Sequence, residues 1–133
     1  MSLYCGIDLH SNNNYISIID PNDKIVFERK LTNNIGAVTD ALARMRESIT
    51  GIAIESTYNW YWLVDGLQEL GYKIHLVNTS KVKQYEGLKY TDDKYDTYWL
   101  AHLMKLGILP TGYIFPKEMR AVRDLLRRRM QLV

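Results

Sequence analysis

Apolar residues fall along the first half of the chain in short runs broken by turn-forming residues. Leu3–Leu9 is an apolar run interrupted near its end by Asp8, the pattern of a buried strand. Tyr15–Asp20 follows, then Pro21-Asn22-Asp23, then Lys24–Leu31, where Ile25 and Phe27 alternate with Lys24, Val26 and Glu28. Pro-Asn-Asp between two β-rich runs predicts a hairpin, because Pro presets φ and Asn and Asp tolerate the turn. Asn33–Met45 carries Ile35, Val38, Leu42 and Met45 at helical spacing. Gly51–Glu55 is a second buried strand, and it too ends in a carboxylate.

Beyond residue 58 the helical period takes over. Asn59–Leu70 places Trp60, Leu63, Val64 and Leu67 on one face, with Gly71 as the C-terminal stop. Lys73–Val77 is another short strand, and Thr79–Glu86 a short basic helix. Asp92–Leu106 is a helix capped by Thr91 and stopped by Gly107, with Pro110 beyond. Pro116 opens a last amphipathic helix with Met119, Val122, Leu125 and Leu126 apolar. It carries no C-terminal cap, and we read it as continuing into a segment the chain lacks. The expected order is β-β-β-α-β-α-β-α-α-α, an antiparallel meander followed by alternating helices and strands. That order suits an α/β fold, a mixed sheet flanked by helices.

Composition narrows the class without naming it. At 133 residues, 47% hydrophobic and 24% charged, the chain is one globular domain's worth. No run approaches the ~18 apolar residues of a membrane span, so no membrane association is expected. The N-terminus has no basic segment followed by an apolar run, so no secretory signal is read there. The single Cys5 excludes an internal disulfide or a cysteine zinc cage, and a cytoplasmic protein fits best. The net charge of +2 hides an asymmetry: residues 1–116 carry 11 Lys/Arg against 13 Asp/Glu, and residues 117–133 carry 6 against 2. A basic tail on a mildly acidic body points to an anionic partner near the C-terminus.

Four carboxylates carry the candidate chemistry. Asp8 and Glu55 each end an apolar strand, where an α/β sheet opens its binding crevice. If the two strands are parallel neighbours, the carboxylates sit side by side and repel, and a divalent cation relieves the repulsion. In the helix from Asp92, the residues Asp93, Asp96, Leu100, Leu103 and Gly107 form one stripe, with Lys94, Tyr98, His102 and Lys105 opposite. The helix dipole explains acids in a first turn, but not acids on the stripe that turns apolar toward the core. Asp92 lies at the flank of the stripe, which leaves the third acid's register open by one residue. Asp8, Glu55, Asp93 and Asp96 make an all-oxygen, hard-ligand set suited to Mg²⁺ or Mn²⁺. Two such ions ~4 Å apart would activate an oxygen nucleophile and stabilise the leaving oxygen of a phosphodiester.

These motifs carry a resemblance. Gly6-Ile7-Asp8-Leu9-His10, Ile54-Glu55-Ser56-Thr57, Leu76-Val77-Asn78 and Lys89-Tyr90-Thr91-Asp92-Asp93-Lys94-Tyr95-Asp96 resemble the N-terminal domain of the DEDD-type insertion-sequence transposases, a family that includes the Piv-like DNA invertases. The likeness spans essentially the whole chain, through Arg120-Ala121-Val122-Arg123-Asp124-Leu125. It implies a RuvC-like domain of the ribonuclease H fold over residues 1–116, with 117–133 leading toward a C-terminal transposase domain. It also implies Asp8, Glu55, Asp93 and Asp96 as metal-binding, catalytic acids in DNA transposition or site-specific recombination. The family further implies a serine nucleophile on the second domain, homo-oligomers, and a structured guide RNA. Ser11 stands where many relatives have lysine, and Tyr58 where glycine is common.

Two readings stand for the basic residues. Lys81, Lys83, Lys89 and Lys94, with Tyr85, Tyr90 and Tyr95 interleaved, suit a nucleic-acid path or a solvated surface. Arg120, Arg123 and Arg127 could contact phosphates or form the polar face of a helix packed on another domain. His10 is either near the metals or a hydrogen-bonding loop residue, and Trp60, Trp62 and Trp99 read as core or interface. The competing functions are a Holliday-junction resolvase-like endonuclease, a non-catalytic nucleic-acid-binding or dimerisation module, and an actin-like ATPase lobe. Leu9-His10-Ser11-Asn12 lacks the glycine such an ATPase phosphate loop needs. A DEDD exonuclease is set aside because His10 occupies the second acid position of its Asp-x-Glu pair.

Overall fold

A computed structural model describes residues 2–56, 59–77, 93–109, 111 and 124, and the backbone only of 93–96. Five strands, β1 (Leu3–Leu9), β2 (Asn13–Ile19), β3 (Ile25–Thr32), β4 (Ile49–Ser56) and β5 (Ile74–Leu76), form one sheet in the order β3-β2-β1-β4-β5. β2 is antiparallel to both β1 and β3, while β1, β4 and β5 run parallel. Among the described residues three helices join it: α1 (Ile35–Leu42, extended by a 3-10 turn at Ala43–Met45), α2 (Tyr61–Glu69) and α3 (Asp93–Lys105). This is the α/β mixed sheet that the sequence pattern predicts, consistent with the ribonuclease H-like fold that the resemblance implies. The predicted helix Thr79–Glu86 lies outside the described residues. So does the last helix, except for Asp124, which is helical and exposed and accepts a 2.8 Å hydrogen bond from the Tyr61 hydroxyl.

Strand alternation gives the sheet two unlike faces. Cys5, Ile7 and Leu9 of β1, Ile16 and Ile18 of β2, and Ile52 and Ile54 of β4 bury against Val38 and Leu42 of α1 and Leu63, Val64 and Leu67 of α2. Trp60 is buried in this cluster, and Trp62 packs against it. Burial pushes the Cys5 thiol far above its ordinary range, so it remains a thiol and packs as a small apolar group. Asn34 caps α1, its side-chain oxygen accepting from the Gly36 and Ala37 amides at 2.8 and 3.2 Å.

The other face is a floor of small side chains under α3. Gly6 pairs with Ser17 on β2 and Ala53 on β4, so one row across the sheet presents almost nothing above the backbone. Thr97, Leu100, Ala101 and Leu103 of α3 are buried, which agrees with the predicted stripe at Leu100 and Leu103. A Cβ on Gly6 would collide with the Thr97 carbonyl oxygen and come within 3.1 Å of the Leu100 Cβ. Ser17 Oγ and Thr97 Oγ1 share a buried hydrogen bond of 2.6 Å, a polar pin at the same level. Farther along the helix, the Met104 sulfur lies over Gly51, which pairs with Tyr4. The helix therefore runs antiparallel to β1 and β4, with its N-terminus at their C-terminal ends.

The far end of α3 is tied to the β2–β3 hairpin. Asp20 Oδ1 accepts from the Asn22 and Lys24 amides, both at 2.9 Å, and Asp23 takes a left-handed φ of 66°. That geometry offers the Asp23 carboxylate to α3: Oδ1 lies 2.6 Å from Lys105 Nζ and 2.9 Å from His102 Nδ1. Lys105 also donates to the Pro21 carbonyl at 3.0 Å, and the His102 ring stacks on Tyr98. The Lys105 hydrogen bond, helped by His102, holds the Asp23 carboxyl below its ordinary value against the opposing effect of burial.

Two outcomes are expected. Gly6→Ala should destabilise the fold by about 1–3 kcal/mol, because backbone on both sides blocks relaxation, and thermal melting will read this as a drop of several degrees. An Asp23 carboxyl depressed in the folded state stabilises above its unfolded value of about 3.9 and loses that contribution as pH falls through the folded value. The melting-temperature advantage of the unsubstituted chain over Asp23→Asn should therefore shrink as pH drops from about 5 to about 3.

Candidate functional site

β1 and β4 are parallel neighbours, and their register pairs Asp8 with Glu55. Cα partners in register point to the same side of a sheet, so the two carboxylates share the face that α3 covers. Adjacent strands set their backbones ~4.8 Å apart, close enough for the carboxylates to repel when both are charged. Asp8 is only 7% exposed, so little water screens it, while Glu55 is half-buried. These two acids are brought together as the sequence reading required.

A second set of contacts fixes the end of β1. His10 Nε2 lies 3.1 Å from Asp8 Oδ2, and the His10 amide donates to the Asn13 carbonyl at 2.9 Å. The His10 carbonyl in turn accepts from Asn33 Nδ2 at 2.8 Å. Asn33 Oδ1 accepts from Asn14 Nδ2 at 3.1 Å, and the same buried Asn14 amide reaches the Thr32 carbonyl at 3.2 Å. His10 is thus a hydrogen-bonding loop residue, as one of its two readings predicts. Its backbone is a loop anchor and its imidazole is turned onto Asp8.

α3 brings its first turn to the same end of the sheet. Thr97 sits over Gly6, and Asp93 precedes Thr97 by four residues, or ~6 Å of helical rise. From Gly6 to Asp8 along β1 is two residues, or ~6.6 Å in the same direction. The backbone of Asp93 therefore stands at the level of Asp8 and Glu55, and that of Asp96, ~1.5 Å before Thr97, stands nearer the Gly6 row; their side chains lie outside the described residues. Asp92 lies outside them too, as do Lys81, Lys83, Lys89, Arg120, Arg123 and Arg127, while Lys94 is described only as backbone within α3.

Several contacts that position this end had no clear sequence signature. Asn33 opens the segment read as helical, yet the helix is capped by Asn34, and the Asn33 side chain holds His10. The Ser17–Thr97 pin and the Asp23–His102–Lys105 cluster join residues about 80 positions apart. His75, half-buried at the opposite end near Gly51 and Met104, is held neutral to lower pH by burial and by Lys73, and stands apart from the acids. Trp99 is half-buried edge-on to His102.

No helix among the described residues is long and apolar enough to cross a membrane. No curated protein matches the chain. A family model does: that of the DEDD transposases of IS110 type, whose description is Transposase, matches residues 5–133. With the acids' strands, register and fold already in place, this match covers nearly the whole chain, which therefore belongs to the DEDD-type insertion-sequence transposases.

Proposed function

We propose that this chain is the metal-binding catalytic domain of a DNA transposase, with Asp8, Glu55, Asp93 and Asp96 as its ligand set. The observation that carries the proposal is the in-register pairing of Asp8 and Glu55 at the mouth of two parallel strands, beneath the helix that bears the other two acids. Two adjacent carboxylates with little water around one of them fit a hard divalent cation, and the donor set holds no soft ligand. Mg²⁺ or Mn²⁺ bound there would supply the charge that activates an oxygen nucleophile and steadies the leaving oxygen of a phosphodiester.

The protein's own groups account for the rest of the reading. Asp8 and Glu55 offer oxygens from a rigid sheet, so their spacing costs no reorganisation on binding. His10 orients the Asp8 carboxylate, and the Asn33–Asn14 pair holds His10 in turn. The α3 N-terminus directs its positive dipole end toward the acids and favours carboxylates in its first turn. Docking of α3 on Gly6 sets how close that turn comes to the sheet.

In this reading DNA is the substrate, and complete recombination draws on a second domain bearing a serine nucleophile, a homo-oligomer and a structured guide RNA. Those three elements rest on the family resemblance. The ligand set is tested by Mn²⁺ titration calorimetry on the unsubstituted chain and on Asp8→Asn, Glu55→Gln and Asp96→Asn. Each substitution is expected to weaken binding at least about tenfold, or ~1.4 kcal/mol, with the circular dichroism spectrum unchanged. Binding indifferent to all three would remove the acids from any metal site.

A further inference from the structure

The row of the sheet that holds Asp8 and Glu55 continues across β2 and β3. Asp8 pairs with Tyr15, and Tyr15 pairs with Lys30, with no irregularity at either step. Register partners share a face, so Lys30, Tyr15, Asp8 and Glu55 form one line on the α3 side. The neighbouring Arg29 points the opposite way: its guanidinium lies 5.4 Å from the Phe27 ring centroid, and Phe27 packs against the α1–α2 core. Lys30 stands two strands from Asp8, or ~10 Å at the backbone, within reach of a phosphate next to one held at the acids.

Charge singles this lysine out. A DNA strand brought to two carboxylates meets repulsion unless cations flank them. Lys105 is committed to Asp23, while Lys24 and Lys73 lie at the opposite end of the sheet. Among described side chains, Lys30 is the lysine or arginine at the acid end of this face, and it is exposed with no carboxylate partner there. Tyr15, half-buried between Lys30 and Asp8, offers a ring for a sugar or base to pack on.

We propose that Lys30 and Tyr15 form a phosphate-and-sugar subsite that leads a DNA strand across β3 and β2 to the carboxylates of Asp8 and Glu55. The subsite rests on the metal-dependent reading above and adds the direction from which DNA arrives. Lys30 neutralises one backbone phosphate, so it contributes to affinity and carries no base specificity.

The test is fluorescence anisotropy of a short labelled DNA duplex with the 133-residue chain, over a series of salt concentrations. Lys30→Ala and Arg29→Ala remove the same charge from adjacent positions on opposite faces. Lys30→Ala should lower the slope of log affinity against log salt by about 1, and Arg29→Ala should leave it unchanged. Equal loss in both variants would mean a general charge effect and would overturn the subsite. No loss in either would overturn it as well, while Mn²⁺ binding at the acids would leave the metal reading standing. An unsubstituted chain that binds neither the duplex nor Mn²⁺ would sink both.

Discussion

The close approach of α3 to the sheet at Gly6 is the constraint on which the acid end depends. Helices usually stand off a sheet by the length of the side chains between them, ~10 Å for well-filled layers. Here Gly6, Ser17 and Ala53 form a floor almost free of side chains, and the Thr97 backbone settles onto it. One row farther along the same strands, Asp8 and Glu55 occupy the positions that a thicker layer would have filled with apolar groups. A helix lowered at Gly6 thus carries its first turn to the level of the carboxylates. Small residues in one row and acids in the next are parts of one arrangement, since the first determines how near the second comes to Asp93 and Asp96.

That arrangement is held from both ends by polar contacts. Near the acids, the Ser17–Thr97 bond fixes helix to sheet, and the Asn14–Asn33–His10 chain ties the β1–β2 turn to the β3–α1 junction. At the other end the Asp23 carboxylate gathers His102 and Lys105 in a hairpin whose left-handed residue presents it. Half-buried charge pairs contribute modestly to stability, but they fix register where apolar packing alone would let a helix slide. Sliding α3 by one residue would shift its acids by ~1.5 Å and turn them by ~100°. The ligand set proposed above would tolerate far less than that.

Much of the fold was legible because its signals are local. Apolar runs marked the strands, Pro21-Asn22-Asp23 marked the hairpin, and the Leu100–Leu103 stripe marked the buried side of α3. Asp8 and Glu55 were legible as a pair because each ends a buried strand, and the parallel register then set them side by side. Element ends were less legible: β2 begins at Asn13 and not Tyr15, and α1 gives way to a 3-10 turn at Ala43. Asn13 and Asn14 have poor strand propensity, and they are held in the ladder by β1, β3 and the Asn14 side chain. Illegible altogether were contacts between distant positions, such as Ser17 with Thr97, since neither residue alone announces a partner.

The two faces of the sheet divide the labour between stability and chemistry. The face under α1 and α2 carries Ile or Leu in every described strand, and the Arg29 guanidinium lies by the Phe27 ring there. The face under α3 buries less apolar surface, because glycine, serine and alanine have little to bury. The large core can hold the sheet rigid, which frees the other face to carry two neighbouring carboxylates. Two carboxylates in register on adjacent strands, one with little water around it, make that face the one suited to a cation in the reading proposed above.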